Sequence, residues 1–153
     1  MKGWIHTFES FVFAEERNEN SGVLQITAML PDTHKEKFLY QDGEWFPEKE
    51  GAPYQFKVKE EGGFLLEERV EGSYKAYHYD KKGRLVALQG HPGCEPTRIF
   101  YVEKEEEAPE FTRSCIDHVE YPGGQRLDFT YKDRLVTSVT DHTGRTVTYH
   151  YEK

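Results

Sequence analysis

Turn signals built on glycine recur along this chain about every ten residues, leaving little room for helices between them. They fall at Asp42-Gly43, Gly62-Gly63, Gly72-Ser73, Asp80 to Gly83, Pro92-Gly93, Pro122 to Gly124 and Asp141 to Gly144. The segments between them alternate apolar and polar residues with period two. In YQFKVK, Tyr54, Phe56 and Val58 share one face while Gln55, Lys57 and Lys59 share the other, as a half-buried strand requires. The same pattern fits Gly22 to Leu30, Tyr74 to Tyr79, Arg84 to Leu88, Thr97 to Val102, Phe111 to Ile116, Gln125 to Tyr131, Arg134 to Thr140 and Arg145 to Tyr151. Consecutive antiparallel hairpins are the natural outcome. The best helical window is Phe8 to Glu19, where Phe8, Phe11 and Val12 have helical spacing, but its aromatic and β-branched content favours strand up to Phe13. Pro31 to Lys37 reads as a helical turn or a loop. The charge run Glu103 to Glu110 reads as the solvated tip of a hairpin between the strands at Thr97 and Phe111.

Two corners of the chain use one phrase. Asp80-Lys-Lys-Gly83-Arg84 and Asp141-His-Thr-Gly144-Arg145 are both D-x-x-G-R, and Tyr77-His-Tyr79-Asp80 matches Tyr149-His-Tyr151-Glu152. The phrase describes strand, tight loop and strand: Asp caps the loop, Gly takes a positive φ, and Arg leads out. Leu85 and Ala87, like Val147 and Tyr149, should then mark the buried face. YHYDKKGRLVAL and RLVTSVTDHTGRTVTYHYE resemble the RHS or YD-repeat family over Tyr77 to Leu88 and Val119 to Glu152, with an echo in FLYQDGEW. The unit departs from the pattern at Tyr131 to Leu135, where the loop is shortened and lacks its Gly.

The resemblance implies a β-ribbon scaffold without catalytic residues, of the kind that curls into shells around toxins in large bacterial proteins. The self-cleaving segments of such shells involve Asp-Pro phrases, which this chain lacks, and 153 residues are too few to enclose a toxin domain. A standalone or accessory member is what the resemblance leaves. The expected fold is therefore mainly β: an antiparallel meander of consecutive hairpins, as a YD-repeat-like twisted sheet or a partly closed barrel, with little helix. It should form a single domain over 1–153, irregular in 1–72 and YD-repeat-like in 73–153.

Composition bounds the partners. The formal net charge of −8, with no run of Lys or Arg, repels nucleic acid and anionic membranes and attracts a basic protein. No apolar stretch reaches membrane-span length and the first ten residues lack a secretory h-region, which predicts a cytoplasmic setting. Hydrophobic residues are 36%, yet 10 Tyr, 10 Phe and 2 Trp supply enough ring area to cover a sheet face.

Nucleotide-binding glycine motifs, G-x-S-x-G and H-E-x-x-H are all missing. One constellation stands out: His91-Pro-Gly-Cys94 and Cys115-Ile-Asp-His118 mirror each other and use both cysteines. A hairpin between them would bring His91, Cys94, Cys115 and His118 to its base, where two thiolates and two imidazoles suit structural zinc. The alternatives are buried neutral thiols, a disulfide, or a Cys115 activated by His118. His78 and His150 should face away from their flanking tyrosines, Tyr74, Tyr77, Tyr79, Tyr149 and Tyr151 read as rungs of aromatic ladders, and Trp4 and Trp45 are the candidates for an exposed aromatic contact. The expected function is a non-enzymatic protein-binding module, such as an immunity or accessory protein of an RHS-type toxin system whose partner is a basic toxin. A sheet that self-associates through its edges, and an enzyme using zinc or cysteine, are the alternatives.

Overall fold

The computed structural model describes residues 10–17, 23–32, 34–102, 115–133 and 135–152. These residues form thirteen β-strands and no helix, in two compact units, Met1–Cys94 and Glu95–Lys153.

The first unit carries β1 (Phe11–Arg17), β2 (Leu24–Met29), β3 (Lys35–Gln41), β4 (Glu44–Pro47), β5 (Tyr54–Val58), β6 (Phe64–Val70), β7 (Ser73–Tyr79) and β8 (Leu85–Gln89). Each pairs antiparallel with the next, so the expected meander of hairpins is present. Alternation places Val12, Ile26, Ala28, Leu30, Phe38, Phe56, Leu66, Tyr77, Tyr79 and Leu85 in the core. A fully buried side chain of this kind contributes about 1.5–3 kcal/mol. The sheet curls until β1 meets the turn after β7. Val12 N–H donates to the Gly83 carbonyl at 2.8 Å, and Phe11 forms one isolated bridge with Arg84. The Ser10 hydroxyl, fully buried, donates to Met29 O at 2.7 Å and lies 2.6 Å from the Tyr79 hydroxyl. One bridge is not a ladder, so the sheet is rolled but does not close into a barrel.

The second unit carries β9 (Thr97–Tyr101), β10 (Ile116–Glu120), β11 (Arg126–Lys132), β12 (Leu135–Asp141) and β13 (Thr146–Thr148), again antiparallel in sequence order. Among its described residues the buried apolar ones are Ile99, Ile116 and Val119. β12 is half-buried at every position, so neither of its faces is fully covered.

Several boundaries differ from the expectation. The described part of the Phe8 to Glu19 window is strand through Arg17, beyond the Phe13 limit. Pro31 and Asp32 form a turn, and β3 begins at Lys35. β3, β4 and β6 lack clean period-two signals. β6 buries Leu66 on one face and Glu67 on the other, which erases the alternation that marks a one-sided strand. Of the strand expected at Phe111 to Ile116, residues 111–114 lie outside the described residues, as do the charge run 103–110 and Trp4; β10 begins at Ile116. Val147 and Tyr149 are exposed at 58% and 40%, so the second corner does not lead into a buried face as the first does at Leu85. A register shift between His78 and Tyr79 sets Leu85 opposite Tyr79 and Ala87 opposite His78, so Ala87 belongs to the other face.

Candidate functional site

The two D-x-x-G-R corners are built alike to within 0.1 Å. At the first, Asp80 Oδ1 accepts the Lys82 and Arg84 amides, both at 2.9 Å, while Oδ2 accepts Arg84 Nε at 2.8 Å. At the second, Asp141 Oδ1 accepts the Thr143 and Arg145 amides at 2.9 and 3.0 Å, and Oδ2 accepts Arg145 Nε at 2.8 Å. The arginine therefore closes the loop as well as leaving it. A hydrogen bond from Thr143, with those from Arg145, holds the Asp141 carboxyl well below the usual carboxylate range. These corners are structural: every hydrogen bond to the aspartate carboxylate comes from within the motif.

An opening in the first unit lies where its ladder parts. β4 pairs along its length with β3 but shares only the Trp45↔Phe56 rung with β5. The loop from Glu48 to Pro53 then carries the chain away before β5 pairs with β6 over five rungs. Between β4 and β5 this leaves an open groove of about 1120 Å³, lined among others by Tyr40, Trp45, Phe46, Tyr54, Phe56 and Val58. Side chains span the gap that the backbone leaves. Trp45 packs on Tyr40 at 5.1 Å and edge-on to Phe56 at 5.8 Å, and Phe56 stacks between Phe38 at 5.0 Å and Phe64 at 5.6 Å. Tyr40, Phe46 and Val58 are exposed at 43%, 45% and 49%, an apolar rim of the type that marks contact surfaces. Trp45, expected as an exposed aromatic contact, is half-buried on the wall of this groove. Among the described residues the aromatic ladder runs through Phe38, Trp45, Phe56 and Phe64, and Tyr74, Tyr77, Tyr149 and Tyr151 are not part of it.

At one end of this groove Tyr54 enters a cluster of acids. Asp32 Oδ1 lies 2.5 Å from His34 Nδ1, and His34 Nε2 faces Glu36 Oε1 at 3.1 Å and the Tyr54 hydroxyl at 3.3 Å. Glu68 stands opposite Tyr54 across the β5–β6 ladder. Burial, then the Glu68 and Glu36 charges, push the Tyr54 phenol well above its ordinary value. Burial opposes the shift at Asp32, but its hydrogen bonds with His34 win and hold the carboxyl low. The sequence signal was available in Asp32-x-His34-x-Glu36, an acid, imidazole and acid at period two, which put all three on one side of the chain.

On the opposite face, Glu67 is 7% exposed and lies 3.5 Å from both Lys57 and Arg69, while the Tyr74 hydroxyl donates to it at 2.7 Å. That hydrogen bond, followed by the two cations, lowers the Glu67 carboxyl. His78 points away from Tyr77 and Tyr79 as expected, but it is engaged: Lys59 Nζ lies 3.0 Å from its Nδ1 and Gln89 Oε1 2.8 Å from its Nε2. His150 is exposed.

The four proposed zinc ligands divide between the units. In the first, His91 is exposed on the turn after β8, and the half-buried Cys94 directs its thiol to the His91 carbonyl at 3.0 Å. In the second, the Cys115 carbonyl accepts the Val102 amide at 2.8 Å. His118 stacks on Phe100 at 4.4 Å, with Nδ1 2.6 Å from Asp117 and Nε2 3.5 Å from Glu120. Both cysteines are free thiols. Within neither unit do three or more His, Cys, Asp or Glu side chains of the described residues gather as metal ligands. A carboxylate on Nδ1 would orient His118 for metal through Nε2, yet Nε2 faces a second carboxylate.

Among the described residues no helix is long and apolar enough to cross a membrane. Compared with protein-family models, with curated proteins and with solved structures, the chain matches none.

Proposed function

We propose that this chain is a non-catalytic protein-binding module that receives a basic protein in the groove between β4 and β5, in the manner of an immunity or accessory protein of an RHS-type toxin system working in the cytoplasm. The observation that carries the reading is the parted ladder with its accessible rings, where a strand or loop of a partner could cover Tyr40, Phe46 and Val58. The net charge of −8 adds long-range steering toward a cationic surface, an effect on association rate that salt suppresses. The repeated corners are compatible with the YD-repeat resemblance, which supplies the toxin context.

The test is a photo-reactive amino acid at Phe46, with the same group at Glu71 in the exposed β6–β7 turn as control, expressed in the native host. One dominant adduct to a basic protein at position 46, absent at 71, is the expected result. Irradiation that yields no adduct specific to 46 would refute the groove as a protein-binding surface.

A second reading, self-association through a sheet edge, draws on β13. That strand pairs with β12 alone among the described residues, and all three of its residues are exposed. Sedimentation at rising concentration separates the two: growth in mass that Val147→Lys abolishes would support the edge, and an unchanging monomer would remove it.

A further inference from the structure

The acid cluster at the Tyr54 end of the groove carries charge that no described Lys or Arg neutralises. Asp32 and Glu36 share only His34, and Glu68 has no ion pair with any described Lys or Arg, although Lys75 is its neighbour across the β6–β7 ladder. Three carboxylates therefore converge around one imidazole and one phenol. Glu36 is only 9% exposed, and a carboxylate that deep ordinarily demands a cation or several donors.

A separate observation points the same way. Tyr77 is 5% exposed, yet its hydroxyl has no hydrogen-bond partner among the described residues. It shares the core face with Glu68, one rung away on β6, and burial followed by the Glu68 and Asp32 charges raises its phenol to about 12. The hydroxyl oxygen is not sealed, because no fully buried side-chain oxygen in the described residues lacks a partner. A buried ring thus offers an unused polar tip, within the field of two carboxylates, to whatever enters from outside.

We propose that Asp32, Glu36 and Glu68, with the hydroxyls of Tyr54 and Tyr77, form a receptor for the cationic side chain of an arginine or lysine on the protein partner. The site rests on the protein-binding reading and gives it a specificity element: the aromatic rim covers the partner's apolar surface, and the acid end takes one positive charge. A guanidinium fits best, since its planar fork can serve several carboxylate and phenol oxygens at once.

The test uses the full chain and a fluorescein-labelled decapeptide with four arginines spaced by glycine and serine, measured by anisotropy at low salt. Its partner in the experiment is the same peptide with citrulline at all four places. The arginine peptide should bind at least about tenfold tighter than the citrulline peptide, and Glu68→Gln and Asp32→Asn should each weaken it several-fold. Glu60→Gln and Glu71→Gln, which remove exposed charges on other turns, should leave it unchanged. Circular dichroism of each variant guards against loss of fold, and Asp32, being exposed, is the variant least tied to folding. No binding by the parent chain, equal binding of the citrulline peptide, or equal losses from Glu68→Gln and Glu71→Gln would overturn the receptor. Failure of the wider reading registers separately, as the absence of a Phe46 adduct while the peptide still discriminates.

Discussion

Replacing Gly83 by alanine should damage the first unit far more than the same change at Gly72. Both glycines hold a positive φ, 80° and 71°, and an L residue held in that region costs about 1–2 kcal/mol. At Gly72 that is the whole cost, because an added Cβ meets nothing within 4 Å. At Gly83 the new Cβ would sit 2.0 Å from the Val12 carbonyl oxygen, a backbone atom that can move only with β1. Relief requires β1 to withdraw, which breaks the 2.8 Å bond from Val12 N–H to Gly83 O and loosens the burial of Val12. The lost hydrogen bond is worth about 1 kcal/mol and the partial exposure of Val12 about 1 more. Gly83→Ala should therefore cost about 3–4 kcal/mol, against about 1–2 for Gly72→Ala. The gap of about 2 kcal/mol corresponds to roughly 8–16 °C in Tm for a unit of this size. Gly144→Ala is a second control: the same phrase and a φ of 89°, but open space around the Cβ. Urea denaturation at neutral pH, with thermal melts alongside, measures all three. If Gly83→Ala proves no worse than Gly72→Ala, β1 does not dock on the β7–β8 turn and the rolled form of the first unit is wrong.

Phe56→Ala should cost the first unit about 3–5 kcal/mol, since it removes a 3% exposed ring that three other rings contact, Trp45 of β4 among them; a loss below 1 kcal/mol in urea would contradict the aromatic bridge. Acid should weaken the second unit through Asp141: its folded carboxyl lies well below the ordinary aspartate value of about 3.9, so its contribution is complete above that value and lost as pH falls toward the folded one. Asp141→Asn should flatten that part of the decline in urea midpoint between neutral pH and pH 3, and an unchanged slope would disprove it. Glu67→Ala should destabilise the first unit by about 1–3 kcal/mol by leaving the Tyr74 hydroxyl without its acceptor, with Tyr74→Phe costing less, as a double-mutant cycle would read out. Protein purified without added metal or reductant should titrate two thiols per chain, from Cys94 and Cys115; no thiol would mean a disulfide, and zinc released in stoichiometric amount on thiol modification would establish the His91, Cys94, Cys115, His118 site.

The corners and the meander were legible because turn chemistry is local. Asp80, Gly83 and Arg84 satisfy one another, so their spacing alone announces the loop. Strand identity was legible where one face meets water, as at Tyr54–Val58, and hidden where both faces are covered, as at Leu66 and Glu67. The groove could not be read from the chain, because it results from a rung that fails to form between β4 and β5, and no residue encodes a missing rung. The acid cluster is intermediate. Asp32-x-His34-x-Glu36 was visible, but Glu68 and Tyr77 join it only through pairing across β5, β6 and β7.

Each D-x-x-G-R corner draws the partners of its aspartate carboxylate from its own five residues. Such a corner behaves as a portable stitch: its carboxylate clasp is the same whether the strand it leads into is buried, as at Leu85, or bare, as at Val147. Repetition therefore survives at the bends of this molecule while the straight segments between them diverge, each answering only to the neighbours it happens to lie beside.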